Sequence, residues 1–361
     1  MPPPDRRFPF APGLRLFPES RADIELRLRA HLERLRAARP DRAAPTAADD
    51  GDLLPRGRDP ALDRVARRAN RLHEARRRAS GLSHLRKEVA ERLHGVAEGV
   101  RLVGPVDAHA ADEIGAALCA EAPWLESAVT PLWRDMRAAA AEGLGLRLRP
   151  TLLDGPPGVG KSRLARRLAE LAGAPFVLVD LGASSEGFTL AGCQRSWSSA
   201  APGRPVEAVL QHGVGNPLVF VDELGKGGEA VSTSGHRTSA HLSLLALLEP
   251  ETAKRWMRPF FEVAFDMSAM NWLLAGNSTA GLSQLRLSRL RVVSVRAPTP
   301  AELAGFARAE ALRRGLDPET ADDLAGIVRI LPPGDPRFGL RRVLRLVEDL
   351  ARWRESADTL H

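Results

Sequence analysis

Between Arg149 and Val295 the chain alternates short apolar runs with longer stretches of helical periodicity. The runs are PTLLD (150–154), FVLVDL (176–181), PLVFVDE (217–223), NWLLAGN (271–277) and RVVSV (291–295). Strands buried on both faces read as continuous apolar runs, and their alternation with helices predicts a parallel α/β sheet. After Pro298 only helical patterns recur, over Pro300–Arg314, Pro318–Leu331 and Leu340–Glu355. Ahead of the sheet, His109–Ala141 is predicted to be helical with a break at Pro123–Trp124. Further back, a surface helix is expected over Arg21–Arg39, a linker over Pro40–Pro60, and a second helix opened by Asp59–Pro60, where proline suits the first turn. In that helix Leu62, Val65, Leu72 and Ala75 recur at helical spacing. Residues 1–20 are Pro-rich and expected to be irregular. The expected organisation is an Arg-rich, mostly helical region at 1–108, an α/β domain at 109–298 and a small helical domain at 299–361.

Composition narrows the class. The chain has 52 basic and 45 acidic residues, and lysine occurs only at 87, 161, 226 and 254, so arginine carries the positive charge. The densest run, Arg64, Arg67, Arg68, Arg71, Arg76, Arg77 and Arg78, reads first as a solvated helix face. A nucleic-acid patch is the lesser reading, because no aromatic residues are interleaved for base stacking. Two isolated cysteines, Cys119 and Cys193, give neither a disulfide framework nor a metal cluster and fit a reducing cytoplasm. No apolar run approaches the roughly 20 residues needed to span a bilayer, and the N-terminus lacks the apolar core of a signal peptide. A soluble cytoplasmic protein is expected.

Gly155-Pro156-Pro157-Gly158-Val159-Gly160-Lys161-Ser162 fits the phosphate-loop pattern G-x-x-x-x-G-K-[ST], and it stands between a predicted strand and a predicted helix. Glycines let the backbone curl so that several N–H groups point at phosphates, and the helix N-terminus adds a positive dipole end. In that setting Lys161 would reach the β- and γ-phosphates and Ser162 would ligate Mg²⁺, so ATP with Mg²⁺ is the expected cofactor. Asp222 and Glu223 end the run PLVFVDE. In an open parallel sheet ligands sit at the carboxyl ends of strands, so Asp222 is expected at the Mg²⁺ and Glu223 at the attacking water. Asn277, ending NWLLAGN, can help to orient that water.

Together these motifs resemble the ATPase module of Lon proteases within the AAA+ superfamily, over about Arg149 to Asp349. GPPGVGKS matches the Lon-type loop. GCQRSWSSAAPGRPVEAVLQHGVGNPLVFVDELGK resembles the Lon stretch of pore loop, helix and Walker B strand. LLALLEPETAKRWMRPFFEVAFDMSAMNWLLAGNST resembles the stretch leading into sensor 1. The resemblance implies further roles. Asn277 falls on sensor 1, and Arg289 falls on the arginine finger that completes a neighbouring subunit's site. Arg341 falls on sensor 2, with Arg342 as an adjacent competitor. Trp197 falls on the aromatic pore-loop position, and Trp124–Leu125 fall in the place of the adenine-contacting segment. It also makes 299–361 the helical lid. The chain departs from Lon in its Trp-Ser-Ser pore loop, in Ser288 before the finger, and in residues 1–108, which show no likeness. No room is left for the Lon peptidase domain, so proteolysis by this chain alone is not expected.

The leading expectation is an ATP-hydrolysing remodelling machine. It would act as a homo-oligomeric, hexameric ring on a protein partner recognised by residues 1–108. A nucleic-acid-directed ATPase and a slow nucleotide-dependent switch are the alternatives.

Overall fold

The computed structural model describes residues 7–12, 14, 17, 19–38, 59–80, 82, 85, 87–181, 189–190, 192, 202–224, 229–231, 237–257, 260–277, 287–330, 332 and 339–358. The chain divides into two compact units, one formed by Met1–Pro12 with Glu98–His361 and the other by Gly13–Ala97.

The smaller unit contains helices α1 (Arg21–Ala37), α2 (Pro60–Ala79) and α3 (Lys87–Ala97). Ser20 and Asp23 cap α1 reciprocally, and the Asp59 carboxylate accepts the Ala61 N–H at the start of α2, with Pro60 in the first turn as its sequence predicts. Ile24 of α1 and Ala69 of α2 are fully buried. Leu62 and Ala75, expected on the apolar stripe of α2, are exposed instead. Arg64, Arg67, Arg68, Arg71, Arg77 and Arg78 are exposed, a solvated face. Arg76 differs: it is partly covered, donates to Glu19 at 2.5 Å and lies 5.7 Å over the Phe17 ring. Of the expected linker Pro40–Pro60, Asp59 and Pro60 already form the start of α2, and residues 40–58 lie outside the described residues.

In the larger unit the elements follow in chain order. Helix α4 (Ala108–Glu121) leads through a 3₁₀ turn (Pro123–Leu125) into α5 (Glu126–Ala141), then β1 (Thr151–Asp154), α6 (Lys161–Leu171), β2 (Phe176–Asp180), α7 (Arg204–His212) and β3 (Leu218–Asp222). Two small hairpins come next, β4 (Glu229–Val231) with β5 (Arg237–Ser239), and β6 (Trp256–Met257) with β7 (Ala264–Phe265). Helices α8 (Ala240–Leu248) and α9 (Pro250–Ala253) separate them. Strands β8 (Asn271–Gly276) and β9 (Arg291–Ser294) precede the C-terminal helices α10 (Pro300–Arg313), α11 (Pro318–Ile330) and α12 (Leu340–Asp358).

Five parallel strands form the sheet in the order β2-β3-β8-β1-β9. Sequence pattern follows position in it. The central β3 and β8 are buried along nearly their whole length, whereas the edge strands β2 and β9 alternate covered and exposed residues. All five predicted apolar runs became these five strands. The core joins Leu153, Phe220 and Leu273 of the sheet to Leu132 and Met136 of α5, Leu164 of α6 and Leu303 of α10. Asn216 and Asn271 are buried with every amide group engaged, binding Val103, Leu146 and Leu148 to the sheet.

The first residues are not irregular throughout. Phe8 exchanges both backbone hydrogen bonds with Val100, at 2.8 and 2.9 Å. Phe10 is fully buried, 5.0 Å from the Phe265 ring. Hence the smaller unit ends at Ala97, ahead of the expected boundary at 108, and Met1–Pro12 belongs with the sheet. No helix among the described residues is long and apolar enough to cross a membrane.

Candidate active site

The segment Gly155–Ser162 leaves the carboxyl end of β1 and enters α6. Gly158 and Gly160 have φ of 77° and 100°, a region that favours glycine. At Gly155 the reason for glycine is space: an added Cβ would lie 2.3 Å from the Val295 carbonyl oxygen. Lys161 is only 8% exposed. Its ammonium donates to the carbonyls of Gly155 at 2.6 Å and Pro156 at 3.1 Å, with a longer contact of 3.4 Å to Asn277 Oδ1. Burial pushes its pKa down, and the negative charges of Asp222 and Asp154 act against that shift.

Register explains the convergence. Strands β3, β8 and β1 are adjacent, and Gly155 N–H and Leu224 N–H donate to the carbonyls of Gly276 and Ala275, each at 3.2 Å. The loops that follow all three strands therefore meet at one edge, the edge where parallel sheets place ligands. Asp222 Oδ1 accepts the Glu223 N–H at 2.9 Å. Glu223 itself has φ 53°, a left-handed conformation that costs a non-glycine residue on the order of 1–3 kcal/mol. The cleft, of about 240 Å³, is lined by Pro157, Gly158, Gly160, Lys161 and Ser162. Asp222, Glu223 and Asn277 line it too, and Arg341 joins from α12. Arg341 and Arg342 are both exposed, and of the two it is Arg341 that lines the cleft.

Arg289 is elsewhere. Strand β9 begins at Arg291, which pairs with Thr151, the first residue of β1, and donates its N–H to Pro150. Arg289 therefore lies at the amino ends of strands whose carboxyl ends carry the phosphate loop. Its guanidinium donates to the Leu245 carbonyl at 2.6 Å and pairs with Glu249 at 3.2 Å. Trp197 lies outside the described residues.

Residues 151–295 match the AAA family, the ATPase family associated with various cellular activities. This stretch is an AAA domain. Lon protease 4 of Sorangium cellulosum is 34% identical over 217 residues, covering 57% of this chain and 26% of that protein. Lon protease of Aquifex aeolicus is 34% identical over 139 residues, 38% of this chain and 17% of that one. The chain thus spans about a quarter or less of the length of these curated relatives. Among solved structures, the Thermotoga maritima RuvB Holliday junction branch migration motor is similar with a TM-score of 0.39 and 18% identity, covering 61% of this chain and 59% of that chain. The family match supports nucleotide binding by this domain.

The structure adds residues whose contacts no motif in the sequence marks. Trp124, 2% exposed, donates its indole N–H to the Val159 carbonyl at 2.8 Å and so fastens the phosphate loop from the 3₁₀ turn. The Trp124 ring meets Phe306 of α10 edge-on at 6.0 Å. Arg163, the residue after Ser162, also lines the cleft, lies 5.0 Å over the Phe306 ring and donates to Glu310 at 3.0 Å. Glu310 is 4% exposed and accepts from Arg313 and Arg314 as well. A sign of Glu310 was available: it continues the stripe Leu303, Phe306 and Ala307 at helical spacing, so a carboxylate there had to be buried and paired. Asp154 ends β1, and its Oδ1 is buried with no hydrogen-bond partner among the described residues.

Proposed function

We propose that this chain hydrolyses ATP with Mg²⁺ and does so as a ring of identical subunits, each lending Arg289 to the site of its neighbour. The reading is carried by one observation: Lys161, Ser162, Asp222, Glu223 and Asn277 line a single cleft, while Arg289 stands at the other end of the same strands. A site equipped for hydrolysis whose expected finger cannot reach it from its own subunit is complete only with a second copy.

The residues fit the cofactor. Left-handed glycines and the start of α6 present backbone N–H groups to phosphates. The hydroxyl of Ser162 and the carboxylate of Asp222 form an all-oxygen set suited to a hard divalent cation, and the unsatisfied Asp154 oxygen adds to the negative charge near Lys161. Bound Mg²⁺ supplies charge neutralisation on the phosphates. Lys161 would give up its loop carbonyls to reach the β- and γ-phosphates. Glu223 takes the proton side of the reaction by orienting and polarising a water, with Asn277 as the second water-orienting group. Arg341 brings positive charge from α12. The apolar hollow that Trp124 and Leu125 line beside Gly160, with Leu164 and Phe306, measures about 20 Å³, so a base would have to displace these side chains to enter it.

Hydrolysis by such a ring would remodel a protein partner held by the N-terminal region. The names of the Lon relatives, proteases, favour a protein over other partners. Exposed arginines on α2 favour nucleic acid as the second reading, which binding to single- or double-stranded DNA or RNA at low salt tests directly.

The deciding experiment is steady-state turnover of the purified chain and of Glu223→Gln. We expect the wild type to release phosphate continuously and Glu223→Gln to lose at least about 100-fold while still binding ATP, since this group acts on the transition state. Turnover per subunit should also fall on dilution. Unchanged turnover in Glu223→Gln refutes the assigned chemistry, a dilution-independent rate refutes the shared site, and tight binding with negligible wild-type turnover points instead to a slow switch.

A further inference from the structure

Arg289 is not idle on its own subunit. Its side chain is 28% exposed, and it spends two donor groups internally: Nη1 on the Leu245 carbonyl at 2.6 Å, and Nη2 in an ion pair with Glu249 at 3.2 Å. Both partners sit at the end of α8, where Glu249 precedes Pro250 and has the extended backbone, φ −89° and ψ 119°, that a following proline favours. That local constraint fixes where the Glu249 carboxylate emerges. The carboxylate is 40% exposed, so the pair is partly solvated and weak enough to open.

A guanidinium has five N–H donors in a planar fork, and a carboxylate competes for the same fork as a phosphate. We propose that Glu249 is a positioning residue that holds Arg289 retracted, so that the finger acts on a neighbouring site only in the fraction of time it is off Glu249. This inference rests on the reading of Arg289 as a finger supplied in trans. Glu249 then sets the turnover rate of the assembled ring through Arg289, since it does not line the cleft of its own subunit.

The experiment uses the full chain at concentrations where wild-type turnover per subunit has reached its plateau. Glu249→Gln keeps the size of the side chain and removes the charge that competes for the guanidinium. We expect kcat to rise about two- to five-fold, the range a partly solvated ion pair supports, with KM for ATP unchanged. In an Arg289→Ala background the same substitution should change nothing, since no finger remains to release. A Glu249→Gln protein of wild-type thermal midpoint whose kcat is unchanged or lower overturns the inference, as does an equal gain in the Arg289→Ala background. A mixture of Arg289→Ala with Glu223→Gln subunits separates the two levels of failure. Recovered turnover in the mixture establishes that the finger works in trans, and a silent Glu249→Gln then defeats this proposal alone. Absence of recovery defeats the shared-site reading and this inference with it.

Discussion

Trp124 shows how one side chain can carry both fold and function. Its ring fills the core beside Phe306, and its single donor is spent on the carbonyl of Val159, the middle of the phosphate loop. Trp124→Phe keeps most of the apolar contact and deletes the donor, leaving a carbonyl on a buried residue without this partner. Such a loss costs about 1–3 kcal/mol, and part of it should be felt by the loop. We expect a lower thermal midpoint and ATP affinity weakened by several-fold, read by calorimetry and nucleotide titration on the same samples. Stability lost with no change in ATP affinity would show that the indole only packs. This contact illustrates what sequence reading reaches at the residue scale. The motif fixes the loop, because glycine, lysine and serine at those spacings have few other uses. The position of Trp124 ahead of the sheet is visible too, but its partner is not. A hydrogen bond across 35 positions of chain depends on how α4, α5 and the sheet pack. Arg163 was unreadable for a related reason: among so many arginines, nothing local marks the one that turns toward a buried carboxylate.

At the scale of elements, helix α10 starts on a reciprocal cap. Thr299 accepts the Glu302 N–H, while the Glu302 carboxylate accepts the Thr299 N–H at 2.7 Å. The same carboxylate takes two hydrogen bonds from Arg296, at 2.7 and 2.6 Å, and these, ahead of the bonds from Thr299, lower its pKa from 4.5 to about 2. A carboxylate whose folded pKa lies below its unfolded value stabilises the fold fully above the unfolded value. That contribution fades as the pH falls from about 4.5 toward 2. Glu302→Gln should therefore lower stability by about 1 kcal/mol at pH 7, within the range for caps and exposed pairs. The gap to wild type should narrow as urea midpoints are measured at successively lower pH below 4.5. A gap that stays constant across that window would mean that the charge plays no part. The helix itself, from Pro300, was legible because threonine, proline and glutamate at the cap, first and third positions state a start without any tertiary information. The five sheet strands were legible for a similar reason, since runs such as LVFVD and NWLLAG exclude a solvated face. The hairpins β4–β5 and β6–β7 were not. Strands of two or three residues carry no period, and their pairing is set by what the intervening chain packs against.

On the scale of the whole molecule, the chain is organised around a return of its first residues to the sheet-bearing unit. Sequence composition placed a boundary after residue 108, because Pro-rich and Arg-rich stretches read as one N-terminal region. The structure instead assigns Gly13–Ala97 to a unit of its own and puts Met1–Pro12 with the AAA domain. Two deletions separate these organisations. Joining Pro12 to Glu98 through a short Gly/Ser linker is sterically reasonable, since Phe8 and Val100 are already backbone-paired. That deletion leaves the sheet, the phosphate loop, Arg341 and the Arg289–Glu249 pair intact. Basal ATP turnover should survive it, and stimulation by a protein partner should be lost if Gly13–Ala97 holds that partner. Removing residues 1–108 entirely also strips Phe10 from its place against Phe265, and the Val103 backbone from Asn216. Loss of a buried phenylalanine alone costs about 3–5 kcal/mol, enough to unfold a domain of ordinary stability. The larger deletion should thus aggregate or lose turnover, while the smaller one stays monodisperse and active. If the smaller deletion folds, by circular dichroism and a cooperative melt, yet cannot hydrolyse ATP, then Gly13–Ala97 is part of the hydrolytic machine, and the division of labour argued for the two units is wrong.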